Sequence, residues 1–159
     1  MKKQNLRRLG LVIMAGILLQ FWGGGAVSMA GNTIHWEDYA AGLARAKSEE
    51  KHVFLYFHAD WCSYCKKLKQ TTFKDKRVVA YLAENFVSIS VDTDKDTRRA
   101  TEWKVRGLPT LWFLDVDGKK ISHLPGFVTP DQFMYVLEFI RTDSYNSMSF
   151  QEFLGKKLK

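Results

Sequence analysis

The feature that most constrains this chain is an unbroken apolar run, Val53-Phe54-Leu55-Tyr56-Phe57, set between His52 and His58. Five apolar residues in succession leave a strand no polar face, so it must be covered on both sides, as in the middle of a parallel or mixed sheet. The flanking segments supply candidates for that cover. His35 to Lys51 is rich in Ala, Glu and Lys, and Trp36, Tyr39, Ala40, Leu43 and Ala46 recur at helical spacing. Cys62 to about Phe73 and Val78 to Asn85 have helical composition, and Phe86 to Val91 alternates with Val87, Ile89 and Val91 on one side and two serines on the other. A short helical stretch, Thr97 to Lys104, precedes Gly107-Leu108-Pro109. Thr110 to Leu114 and Ile121 to Leu124 read as strands joined through Asp117-Gly118, a hairpin signal. Thr129-Pro130-Asp131-Gln132 offers a cap, a proline at the first helical position and a capping-box partner, followed by the stripe Phe133, Val136, Leu137 and Ile140. A second box, Ser149 to Glu152, opens a short amphipathic tail ending near Gly155. A β-α-β unit followed by β-β-α on one sheet accounts for this order: an α/β fold with a central mixed sheet flanked by helices, an N-terminal helix and a short C-terminal helical extension against the sheet's edge.

The chain of 159 residues carries a formal charge of +7, which raises the question of a polyanionic partner. Four of its 24 basic residues, Lys2, Lys3, Arg7 and Arg8, lie in the first 30 positions with no acid beside them, so 20 bases face 17 acids over the rest. That balance argues against a nucleic-acid partner. The early charges belong to a targeting layout. A basic region, Met1 to Arg8, precedes an apolar stretch, Leu9 to Trp22, and small residues then lead to Ser28-Met29-Ala30. This is the three-part pattern of a secretory signal peptide, with cleavage expected after Ala30. The apolar stretch is short for a bilayer span of about 20 residues; retention as an N-terminal membrane anchor is the alternative. The expected organisation is a signal peptide over 1–30, the main domain over 31–142 and the helical extension over 143–159.

Cys62 and Cys65 stand three positions apart, after the apolar strand and at the start of a helix. The first turn of a helix offers unpaired N–H groups and the positive end of the dipole, which stabilise a thiolate at Cys62 and lower its pKa. Lys66 and Lys67 add positive charge. Cys65, one turn further in, is within reach of a mixed disulfide held on Cys62, giving a two-step exchange. Other readings are weaker. No second cysteine pair or His cluster completes a zinc site, so no metal is expected. Haem attachment needs His after the second cysteine, where Lys66 stands. A purely structural disulfide stays open, although a three-residue loop constrains little unfolded-state entropy.

Phe57-His58-Ala59-Asp60-Trp61-Cys62-Ser63-Tyr64-Cys65-Lys66 resembles the active-site segment of the thioredoxin family, with its Trp-Cys-x-x-Cys-Lys core. Val105-Arg106-Gly107-Leu108-Pro109-Thr110 resembles the family's second signature, the loop that carries a cis-proline against the active site. The two motifs come in the family's order, and the resemblance covers about residues 50–142. Ala59-Asp60-Trp61-Cys62, with Thr72-Phe73 further on, is similar to the C-terminal domain of the bacterial transmembrane thiol:disulfide interchange reductase and to small exported thioredoxin-like proteins. The resemblance implies that Cys62 is the exposed nucleophile and Cys65 the buried resolving thiol. It further implies that Trp61 shapes the surface beside them, and that Pro109, in cis, turns the Leu108 backbone toward a substrate strand. A groove lined by Trp61, Tyr64, Leu108 and the Gly126-Phe127 loop would suit an extended peptide. His58 and Lys66 are candidates for tuning the pair, with His58 equally readable as a packed strand residue; His35, His52 and His123 read as surface or packing residues. The resemblance stops short at Tyr56, where many thioredoxins carry a buried Asp that helps deprotonate the resolving thiol.

These readings lead to an exported thiol–disulfide oxidoreductase that reduces disulfides in periplasmic proteins. Its partners would be cysteine-containing proteins and a membrane electron-donor reductase, and it would work as a monomer with no cofactor beyond the Cys62–Cys65 disulfide. Ser63-Tyr64 matches neither the Gly-Pro of reducing thioredoxins nor the Pro-His of the strong oxidant. An oxidase or isomerase, and a non-catalytic partner-binding module, therefore remain alternatives.

Overall fold

A mixed five-stranded sheet organises the computed structural model, which describes residues 33–158. The expected signal segment and its cleavage point lie outside the described residues. The strands are β1 (Trp36–Glu37), β2 (His52–His58), β3 (Phe86–Asp92), β4 (Thr110–Leu114) and β5 (Lys120–Pro125). Their order is β1-β3-β2-β4-β5. β1 and β2 run parallel to β3, whereas β4 is antiparallel to β2 and β5 antiparallel to β4. The apolar run lies in β2 with β3 on one side and β4 on the other. Phe54 and Tyr56 enter a core on one face, and Val53, Leu55 and Phe57 a second core on the opposite face. The strand is covered on both sides, as its composition requires.

The helices are α1 (Tyr39–Glu49), α2 (Ser63–Gln70), α3 (Lys76–Asn85), α4 (Thr97–Glu102), α5 (Pro130–Arg141) and α6 (Phe150–Lys157). α1 packs on β3, with Gly42 and Ala46 buried. A Cβ built on Gly42 would lie 2.4 Å from Ile89 Cγ1, so the glycine permits the close approach of helix to strand. The helix is shorter than its periodicity predicts. Trp36 belongs to β1, opposite Ser88, and its ring sits 5.5–5.8 Å from those of Phe54, Tyr56 and Phe73. Burying the indole in that aromatic group draws the segment into the sheet, and the helix starts only after Asp38, whose backbone is extended. Both expected capping boxes form, at Thr129 and Gln132 and at Ser149 and Glu152. α6 docks on α5 through Phe150 and Phe153, whose rings each lie 5.3 Å from Phe139, while Phe150 and Leu154 share a pocket with Leu124 of the edge strand β5.

Candidate active site

The site is built where β2 ends and α2 begins. Cys62 is the N-cap of α2, its backbone is extended, and its Sγ accepts a hydrogen bond from the Cys65 N–H at 3.1 Å. A side-chain acceptor at this position satisfies one of the donors that a helix start leaves unpaired. Cys62 and Cys65 are joined by a disulfide, with their Cα atoms 5.2 Å apart. Cys62 retains 4% exposure and Cys65 none. Trp61 and Tyr64 stand out beside them at 69% and 59% exposure, unusual for aromatic side chains. Trp61 Nε1 donates to Asp94 Oδ1 at 3.2 Å, which fixes the exposed indole. Lys66 is exposed one residue past the pair.

The second signature faces the same end of the sheet. The antiparallel register pairs Phe57 with Thr110, so the chain enters β4 beside the point where β2 leaves for the cysteines. The Leu108–Pro109 peptide is cis. Pro109 is buried, and half-buried Leu108 packs against both cores. Gly126, at φ +85°, donates its N–H to the Pro109 carbonyl at 2.8 Å. Next to it, the Phe127 ring lies under Lys67 Nζ of α2, 4.4 Å from the ring centre. The buried Thr72 hydroxyl, just past α2, donates to the Val128 carbonyl at 2.6 Å. The redox helix, the proline loop and the Gly126–Val128 segment are thus held together by direct contacts.

Behind the disulfide, Tyr56 fills the position of the family's buried carboxylate. Its hydroxyl donates to the Cys65 carbonyl at 3.5 Å, and burial raises its pKa well above the ordinary tyrosine range. His58 stacks on the Tyr56 ring at 4.9 Å. Burial lowers the imidazole pKa, Lys69 pushes it the same way, and Asp92 and Asp60 oppose. Its Nδ1 is shielded and has no hydrogen-bond partner among the described residues. Donor atoms of His58, Asp60 and Asp92 lie within 4.8 Å of one another, which makes them the residues able to approach a metal ion together. Lys95 Nζ already neutralises Asp92 at 3.2 Å.

The structure therefore brings Trp61, Cys62, Tyr64 and Cys65 together with Leu108 and Pro109, and connects His58 to the pair through Tyr56. Of the other histidines, His52 pairs with Asp143 at 3.1 Å and His123 stacks on Trp112 at 4.4 Å. Sequence reasoning did not find Asp92 beside His58 or Asp94 beside Trp61. The first follows from the in-register parallel pairing of His58 with Asp92, which no local pattern announces.

A buried disulfide at a helix N-terminus, flanked by exposed aromatic side chains on this sheet, defines a thiol–disulfide oxidoreductase. The chain belongs to the family described as thioredoxin-like domain, which matches residues 39–141. Among similar proteins is the thiol:disulfide interchange protein DsbD of Vibrio vulnificus, 36% identical over an alignment 104 residues long that covers 62% of this chain and 17% of that protein. The chain thus spans a small part of that relative's length. Among solved structures, a thioredoxin from Thermus thermophilus is 28% identical with a TM-score of 0.61, covering 67% of this chain and 85% of the other. The oxidised C-terminal domain of DsbD from Neisseria meningitidis is 29% identical with a TM-score of 0.54, covering 67% and 98%. Among the described residues, no helix is long and apolar enough to cross a membrane.

Proposed function

We propose that this chain is an exported reductase that opens disulfides in periplasmic proteins, with Cys62 as nucleophile and Cys65 as resolving thiol. The observation that carries the proposal is the asymmetry of the pair. Cys62 sits at the helix cap beside two exposed aromatic residues, whereas Cys65 is wholly enclosed. In the reduced protein the Cys62 thiolate attacks one sulfur of a substrate disulfide, and the other substrate sulfur leaves as a thiolate that takes up a proton. The Cys65 thiol gives up its proton and attacks Cys62 Sγ. The second substrate thiol is released and the Cys62–Cys65 disulfide forms. Two electrons and two protons from an upstream dithiol, such as that of a membrane reductase, restore the reduced pair. Trp61, Tyr64, Leu108 and Pro109 line the approach of an extended substrate segment, and His58 and Lys66 tune the pair electrostatically. Similarity to the thiol:disulfide interchange protein DsbD and to its C-terminal domain supports the exchange chemistry, and the signal-peptide pattern of the first 30 residues supports the periplasmic setting.

Cys62→Ser should abolish insulin reduction, and full retained activity would overturn the assignment. Direction is read from the reduction potential of the pair, equilibrated against defined thiol buffers. The reductase reading expects a value near about −270 mV, where thioredoxin lies; a value near about −120 mV would make the protein an oxidant.

A further inference from the structure

We propose that the groove on the far side of the Leu108–Pro109 loop binds an acidic segment of the disulfide partner, adjacent to the cysteine being attacked. This rests on the thiol-exchange reading of Cys62 and Cys65 and adds to it the chemistry of the partner. The groove has a volume of about 490 Å³, within the range of ligand-binding clefts. It lies on the face of the β4–β5 hairpin that carries Trp112, and the chain from α4 to the proline loop forms its wall. Its floor is aromatic: the rings of Trp103 and Trp112 meet edge to face at 5.3 Å, and Leu108 closes the end next to Pro109.

The rim carries charge of one sign. Lys104, Arg106 and Lys120 are exposed on it, and no Asp or Glu lines the groove. None of the three cations pairs with a carboxylate among the described residues. Lys120 Nζ instead lies over the rings of Trp103 and Trp112, at 4.1 and 5.1 Å from their centres. An aromatic floor ringed by unpaired cations is complementary to a peptide that places carboxylates beside apolar side chains. Its position matters as much as its charge. The Pro109 loop that forms one wall is tied through Gly126 and Phe127 to α2, so the groove and the redox helix border the same loop. Recognition through long-range charge acts on the encounter rate and weakens with salt.

The test uses the pre-reduced protein and two peptides of equal length closed by the same internal disulfide, one with Asp and Glu flanking the cysteines and one with Lys. Single-turnover rates are followed at low and high salt, with neutral hydroxyethyl disulfide as a third substrate. The acidic peptide is expected to react at least about tenfold faster than the basic one at low salt, and the ratio should fall toward one as salt rises. The triple variant Lys104→Gln, Arg106→Gln, Lys120→Gln should lose the preference while reducing hydroxyethyl disulfide at the wild-type rate. Lys120→Arg alone, which keeps charge and ring contact, should retain the preference. Equal rates for the two peptides in the wild type would overturn the groove. So would a preference that survives the triple variant, which would assign it to Lys66, Lys67 and Lys69 on α2. If the wild-type protein fails to reduce hydroxyethyl disulfide, the thiol-exchange reading itself falls and the groove with it.

Discussion

Replacing Thr72 with Val tests whether the contact network behind the cysteines holds the substrate surface in place. Thr72 has no exposed area, and its hydroxyl donates at 2.6 Å to the carbonyl of Val128, 56 positions away. Valine preserves the branched shape and removes the donor, leaving the Val128 carbonyl without a partner. Stranding a buried acceptor costs about 1–3 kcal/mol. The added methyl group returns about 0.8 kcal/mol at most. The desolvation loss therefore wins, by about 0.2–2 kcal/mol out of a total stability on the order of 5–15 kcal/mol. For a domain of this size the loss corresponds to a fall in Tm of roughly 1–10 °C. In urea unfolding of the oxidised protein the midpoint should drop with an unchanged slope. The same carbonyl belongs to the segment that carries Gly126 and Phe127, so KM for a protein disulfide should rise more than kcat falls. An unfolding midpoint at or above the wild-type value, with KM unmoved, would refute the argument that this one bond holds the two segments together.

Two further outcomes follow from separate features. Burial holds the His58 imidazole below its ordinary pKa of about 6.5. Below that pH the unfolded chain therefore binds more protons than the folded one, so stability is fully present above about pH 6.5 and is lost as pH falls through the folded pKa. His58→Phe, which keeps the stack on Tyr56, should flatten that acid-side decline in unfolding midpoints, and an identical decline in the variant would remove His58 as its cause. Gly42→Ala sets a gain in helix propensity of about 1 kcal/mol against a methyl group 2.4 Å from buried Ile89 Cγ1. Overpacking costs about 1–3 kcal/mol, so thermal melts should show net destabilisation, and a more stable variant would mean that α1 shifts away from β3 freely.

The parts of this fold that a reader of the sequence can find are those whose cause is local. Val53 to Phe57 can only be a strand with two buried faces, Thr129 and Gln132 close a capping box within three residues, and Gly118 takes the positive φ that the hairpin turn requires. The cysteines were legible for the same reason, since a helix cap and its first turn lie within four positions. The periodicity misplaces Trp36 because a two-residue strand has none of its own; the strand is held by pairing Trp36 with Ser88 and Glu37 with Ile89, some fifty residues away. The groove was invisible for a related reason. Trp103, Trp112 and Lys120 come from three separate elements, and only the β4–β5 register and the path of the chain after α4 bring them together.

The ordering of the sheet also settles how it ends. An edge strand presents a row of free N–H and C=O groups, a template on which another chain can polymerise. One edge is β1, only two residues long, too short to seat a foreign strand. The other is β5, which begins at the charged Lys120, ends at Pro125 with no N–H to offer, and is thrown out of even register where Phe113 and Leu114 meet it. Both margins are thus poor templates for a further strand. A thiol–disulfide oxidoreductase can therefore expose aromatic side chains at its redox centre while offering a partner chain little strand edge to aggregate upon.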